Sequence, residues 1–326
     1  MPLTDIPLAQ LREYRPHIPE PDDFDTFWDT TLQEARALAR PSVLGAPDPH
    51  FPELLVQDLT FSGFGGEPIK GWVVRPKASD TEPRPAVIEY IGYNGGRGLP
   101  AERLHWAASG FVHIVMDTRG QGSGWGNGGA TPDPHGSGPA PEGYMTRGID
   151  SPHNYYYRRV YTDAALLVEV AAGFEFVDEA RIAVTGTSQG GGISLATAAL
   201  ARGRVAAVMP DVPFLCDFRH SAEATPTPPF TEIVRYLAVH RDDIDMVFST
   251  LSYFDGALMA SRSSASSIFS VALMDGIVLP SSVFAAFNAY RGDDRTIEVY
   301  PFNGHEGGQL HHWARQRRWL TERFVA

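Results

Sequence analysis

An α/β class with a mostly parallel central sheet is predicted from three observations. From residue 86 onward, short unbroken apolar runs alternate with helical patterns. Such runs suit strands buried on both faces, as in a parallel sheet covered by helices. Ahead of them, segments 54–61 and 69–75 flank the glycine-rich Ser62-Gly63-Phe64-Gly65-Gly66, which predicts an antiparallel hairpin. The 326 residues, 43% of them hydrophobic, can furnish one large core, so a single domain over 1–326 is expected.

Residues 21–38 read as a helix with Asp22 or Asp23 as its cap. Phe24, Phe27, Trp28, Thr31, Leu32 and Ala35 fall on one face. This helix anchors an N-terminal helical extension, 1–45. Beyond the hairpin, strands are expected at 86–91, 112–116, 182–184, 205–209, 268–274 and 297–302, with helices at 193–200 and 309–324. The glycine- and proline-rich stretch 126–150 is too long for a simple connection, so it is an ordered functional loop, a subunit contact or a flexible insertion. Residues 217–262 interrupt the strand–helix rhythm with helix-like pieces such as 232–239 and would form a cap beside the site.

A net charge of −12 without any Lys/Arg cluster argues against a phosphate-tracking surface and so against nucleic acid as a partner. Cys216 is the sole cysteine, which excludes an intrachain disulfide and a thiolate metal cluster. Its apolar surroundings suggest a buried, inert thiol. The N-terminus lacks a basic n-region and a long apolar h-region, and no stretch is apolar for long enough to span a bilayer. The expectation is a cytoplasmic protein with no membrane association.

Chemistry concentrates at Thr185-Gly186-Thr187-Ser188-Gln189-Gly190-Gly191-Gly192, between a buried strand and a helix. This is a nucleophile elbow: a sharp turn exposes the serine Oγ, and the glycines at 186 and 190 allow the backbone to fold that tightly. Serine needs a base, and the base needs a third group to hold its ring. With chain order nucleophile, acid, histidine, the histidines after Ser188 are His220, His240, His305, His311 and His312. His305 follows a strand directly, at the carboxyl end where open α/β sheets collect their ligands. His311 and His312 fall within the terminal helix pattern, where a solvated or partly packed ring is expected, and His240 sits at a charged helix end.

For the acid, Asp275 ends the 268–274 strand, one strand–helix–strand unit before His305. Asp211, also at a strand's carboxyl end, is the rival and is expected instead to cap or brace the cap segment. Asp293 and Asp294 precede their strand and belong to the opposite rim. Negative charge on a carbonyl oxygen requires aimed donors, for which the backbone N–H groups of Gln189 and Tyr93 are suited. The run Arg119-Gly120-Gln121-Gly122-Ser123-Gly124 has neither dinucleotide-loop spacing nor a Walker lysine. Arg119 is read as fixing neighbouring loops. No cofactor or metal is called for.

With these residues in view, the chain resembles the acetyl xylan esterase and cephalosporin C deacetylase family of carbohydrate esterases. Three motifs carry the resemblance: Arg119-Gly120-Gln121, Gly186-Thr187-Ser188-Gln189-Gly190 and His305-Glu306. Similarity extends through 90–98, 116–125, 155–163, 211–218, 251–256 and 283–290. The resemblance implies an α/β-hydrolase fold and metal-free removal of acetyl groups from small esters, including acetylated xylo-oligosaccharides and cephalosporin C. It maps the triad onto Ser188, Asp275 and His305, the oxyanion donors onto Tyr93 and Gln189, and loop-bracing positions onto Arg119 and Gln121. It further implies a homo-oligomer, a hexamer, with the 126–150 insertion at subunit contacts. After the acid the family commonly reads Ile-Cys-Pro-Pro, whereas here Ile277 precedes Val278-Leu279-Pro280, which alters the wall beside the acid. The alternatives are another short-chain esterase or peptidase on the same fold, or a non-catalytic binding protein on that frame.

Overall fold

The computed structural model describes residues 3, 5–135 and 138–325. Among them a nine-stranded sheet runs in the order β1-β2-β3-β5-β4-β6-β7-β8-β9. The strands are β1 Val43–Leu44, β2 Leu54–Ser62, β3 Pro68–Pro76, β4 Arg84–Tyr90, β5 Val112–Met116, β6 Val177–Thr187, β7 Ala207–Asp211, β8 Ser266–Ala272 and β9 Arg295–Tyr300. The first three are antiparallel, with Leu59 opposite Gly71 in the expected hairpin, and β3 runs antiparallel to β5. From β5 through β4, β6, β7 and β8 to β9 the pairing is parallel.

The helices are α1 Leu8–Leu11, α2 Phe24–Leu38, α3 His105–Ala108, α4 Tyr156–Ala172, α5 Gln189–Leu200, α6 Phe218–Ala224, α7 Thr231–Val239, α8 Ile244–Ser252, α9 Gly256–Ala260, α10 Pro280–Ala289 and α11 Gln309–Phe324. Strand alternation divides them between two faces. Val87 packs with Trp106 of α3 and with Leu320 and Phe324 of α11. Its neighbour Ile88 belongs to the larger core that holds α2, α4, α5 and α10.

The six expected residues of α2 are all buried. Its cap differs from expectation: Asp23 makes no capping hydrogen bond, and its carboxylate instead accepts one from the Tyr253 hydroxyl. Strand limits also shift. β1 was not foreseen, because two residues carry no period, and β7 begins at Ala207 rather than at 205. β9 stops at Tyr300, since Pro301 has no N–H to donate to a ladder and Phe302 is 82% exposed.

The 126–150 stretch has no helix or strand among its described residues, yet it is pinned to the body. Thr131, Tyr144, Met145, Thr146 and Ile149 are buried, and Asp133 accepts hydrogen bonds from Arg159 Nε and Nη2 at 3.0 and 2.8 Å. Buried side chains of this kind hold a loop that has no ladder of its own. The loops after β4 through β9 share one rim, where the candidate chemistry lies.

Candidate active site

Ser188 follows β6 and caps α5, with φ +59° and ψ −119°. Such a conformation is strained for a residue with a Cβ and persists only where its surroundings enforce it. The Ser188 N–H donates to Asp211 O at 2.8 Å, and the Ser188 carbonyl accepts from the Phe214 N–H at 2.9 Å. A Cβ at Gly190 would lie 2.1 Å from Tyr90 O, and one at Gly186 would lie 2.4 Å from the Gly190 carbonyl carbon. The backbone of β4 and of the turn itself thus leaves no room for a side chain two residues before or two residues after the serine.

His305, in the loop after β9, points Nε2 at Ser188 Oγ (3.0 Å) and Nδ1 at Asp275 Oδ2 (2.8 Å). Asp275 is fully buried, and its Oδ1 accepts from the N–H groups of Ile277 and Val278 at 2.9 Å each. An ionised carboxylate only accepts, so the proton sits on Nδ1 and Nε2 is free to accept from the serine hydroxyl.

The loop 91–94 is tied to the elbow through two glutamines. Gln121 Oε1 accepts from the Asn94 N–H (2.8 Å) and from Gln189 Nε2 (3.2 Å), while Gln121 Nε2 donates to Gln189 Oε1 (2.9 Å) and Tyr156 OH (3.0 Å). Gln189 Nε2 also donates to Ile91 O at 3.0 Å. This buried amide pair sets Tyr93 beside Ser188. Gln189 opens α5, where helix geometry leaves the first N–H groups without an intrahelical acceptor. Arg119, also buried, forms a two-point pair with Asp163 at 2.7 and 2.8 Å and reaches Glu67 at 2.5 Å. It ties together α4, the loop before β3 and the 117–128 loop.

Asp211 does not brace the cap. Its Oδ1 accepts from Gln316 Nε2 (2.7 Å) and lies 2.9 Å from His312 Nε2, so it anchors α11. His312 is correspondingly buried rather than solvated, with Nδ1 2.9 Å from Tyr300 OH. Cys216 is buried, and burial holds its thiol well above its usual range.

The cavity at Ser188, about 400 Å³, is lined by Gly92, Tyr93, Asn94, Trp125, Thr187, Pro228, Pro229, Glu232, Ile277 and His305 as well. Glu232 and Trp125 were not foreseen as site residues. Glu232 of α7 is buried; its Oε1 accepts from Tyr93 OH at 2.7 Å and its Oε2 from the Met145 N–H at 3.0 Å. Burial pushes this carboxyl above its usual range. Trp125 is 52% exposed and donates from Nε1 to Tyr93 O at 2.7 Å. Its position just past the glycine-rich run after β5 was the available signal, because it places the indole on the catalytic rim. For Glu232 the available signal was its place at the start of the helix-like piece 232–239, in the segment expected to cap the site.

A serine on a strained strand–helix turn, a histidine within hydrogen-bond reach and a buried carboxylate behind it, all on the carboxyl rim of a largely parallel sheet, define a serine hydrolase of the α/β-hydrolase fold. The chain belongs to the acetyl xylan esterase (AXE1) family, a family of carboxylic ester hydrolases, whose model matches residues 1–323. It is similar to the solved acetyl xylan esterase of Paenibacillus sp. R4, with 36% identity and a TM-score of 0.89 over 97% of this chain and 99% of that one. Acetyl xylan esterase 1 of Thermoanaerobacterium sp. JW/SL YS485 gives 34% and 0.88 over the same shares. Acetyl esterase Axe7A of Xylanibacter ruminicola is 23% identical over 314 residues, which take in 89% of this chain but only 65% of that protein.

Proposed function

We propose that this chain is a serine esterase that removes acetyl groups from small esters, chiefly acetylated xylo-oligosaccharides and also cephalosporin-type esters, through an acetyl-Ser188 intermediate. The observation that carries this reading is the unbroken line from Ser188 Oγ to His305 Nε2 at 3.0 Å and from His305 Nδ1 to Asp275 at 2.8 Å. Ser188 Oγ attacks the acetyl carbonyl carbon as its proton passes to His305 Nε2. The oxyanion is held by the backbone N–H groups of Tyr93 and Gln189. The ester C–O bond then breaks, and the alcohol leaves with the proton from His305. Water repeats the sequence: its proton goes to His305, its oxygen bonds to the acyl carbon, and acetate departs as Ser188 regains a proton.

Arg119 and Gln121 hold the loops that carry these donors and take no part in bond making. Pro228, Pro229 and Ile277 line the cavity, the acyl group taken there is acetyl, and segment 217–262 serves as the cap. The same reading takes the protein as one domain over 1–326, and as a cytoplasmic homo-hexamer with 126–150 at subunit contacts, to be checked by sedimentation and fractionation.

Ser188→Ala tests the central claim. It should abolish acetate release from acetylated xylo-oligosaccharides and from an aryl acetate while leaving the fold unchanged. Retained turnover would eliminate Ser188 as nucleophile, and equal rates on acetyl and octanoyl esters would eliminate the acetyl preference.

A further inference from the structure

Trp125 is a large aromatic side chain that is both half-exposed and part of the wall around Ser188. Two features hold it in place. Its indole N–H is committed to Tyr93 O at 2.7 Å, and its ring lies against the glycine turn of the oxyanion loop, where a Cβ at Gly95 would come within 2.3 Å of Trp125 Cζ2. The backbone beneath is fastened as well, by the Gly124 N–H to Asn94 O at 3.0 Å and the Gly98 N–H to Gly128 O at 3.0 Å. The ring is therefore preorganised, its polar edge is already satisfied, and what it offers a ligand is π surface.

We infer that Trp125 is the platform of an alcohol subsite, on which the pyranose ring of the leaving sugar stacks while its acetyl group is held at Ser188. This rests on the reading that the substrate is an acetylated sugar. The cavity has a closed side and an open side. Glu232, 6% exposed, lies inward, and Trp125, 52% exposed, stands at the mouth. An acetyl group is small enough for the closed side, so the alcohol faces outward and meets the indole. A pyranose matches that surface because one of its faces presents mainly C–H bonds, and the negative face of an aromatic ring attracts their partial positive charge. An acyclic alcohol such as ethanol has no such face.

Trp125 also braces the oxyanion loop through its N–H, and two substitutions separate the roles. Trp125→Phe keeps a ring and loses the N–H; Trp125→Leu loses both. The quantity to measure is the ratio of kcat/KM for an acetylated xyloside to that for ethyl acetate. Leu should lower this ratio ~10-fold or more, the order expected when one aromatic contact is lost, and Phe should largely retain it. An unchanged ratio in Leu, or an equal fall in Phe and Leu, would overturn the platform. A loss of oligomeric assembly in Leu with the ratio intact would assign the ring to contact between copies, and would overturn it too.

If the wild-type enzyme hydrolyses ethyl acetate but no sugar acetate, the sugar-ester reading fails by itself. The platform is then read from saturation-transfer NMR of xylotriose with Ser188→Ala. Contact that disappears in Ser188→Ala/Trp125→Leu supports it, and absence of contact overturns it.

Discussion

Asp275→Asn is an isosteric change whose consequence follows from hydrogen bonds behind the proposed triad. Oδ1 of Asp275 accepts from two backbone N–H groups, those of Ile277 and Val278, and Oδ2 faces His305 Nδ1. An asparagine has a single acceptor oxygen, and the two N–H groups claim it. Its NH₂ must then face His305 Nδ1. A donor there forces Nδ1 to accept, so the imidazole proton moves to Nε2, and Nε2 can no longer take the proton of Ser188. Reversing the amide would set NH₂ against two backbone donors. Each unmatched donor in a buried site costs ~1–3 kcal/mol, so the productive arrangement is disfavoured by ~2–6 kcal/mol, or ~30-fold to ~10⁴-fold. The variant also loses the negative charge that stabilises the imidazolium, which brings the expected fall in kcat to ~10³–10⁴.

The assay is kcat on an aryl acetate, with the urea midpoint as a control for folding and ¹⁵N NMR of the imidazole to report the tautomer. A kcat within ~10-fold of wild type in a folded protein would refute the reasoning, because either the amide or the tautomer would then be free to choose. So would a full loss of activity with the proton still on Nδ1.

Three further outcomes are expected. Glu232→Gln leaves one acceptor oxygen for two donors, Tyr93 OH and the Met145 N–H, so it should lower stability by ~1–3 kcal/mol and reduce kcat more than it raises KM, as steady-state kinetics and urea unfolding would reveal. Gly190→Ala drives a methyl to 2.1 Å from a backbone oxygen of β4; the unfolding free energy from urea denaturation should fall by more than the ~1–3 kcal/mol of ordinary overpacking, and the remaining folded protein should be nearly inactive. Burial opposes the charge of Glu89, but Arg103 at 2.7 Å and hydrogen-bonded His113 outweigh it and hold the carboxyl down to about 2, against its usual 4.5. Its contribution is therefore present above pH 4.5 and lost as the pH falls toward 2. The stability difference between wild type and Glu89→Gln should shrink by ~2 kcal/mol between about pH 5.5 and about pH 3, and a difference independent of pH in chemical unfolding would count against that pairing.

The parts of this molecule legible in its sequence are those whose geometry is set by neighbours along the chain. The elbow needs small residues two before and two after Ser188, because a Cβ added at Gly186 or Gly190 would come within 2.5 Å of backbone atoms. The helical spacing of Phe24, Phe27, Trp28, Thr31, Leu32 and Ala35 has the same local origin, as does the position of His305 after its strand. What could not be read is decided by partners distant in sequence. Asp211 and Asp275 both stand at the carboxyl ends of β-strands, and the strand pattern treats them alike. Asp211 is claimed by Gln316, 105 positions away, while His305 reaches Asp275 across 30. Asp23 lost its capping role to Tyr253, 230 positions away. Glu232 gained its place in the site from Tyr93, at a separation of 139. A carboxylate in a loop or at a helix end has several partners of nearly equal worth, and the one it adopts depends on which distant donor the packed core brings within 3 Å. Its place one strand–helix–strand unit before His305 could rank Asp275 above Asp211, but only the placement of α11 explains what Asp211 does instead, because that helix supplies the Gln316 amide that donates to it.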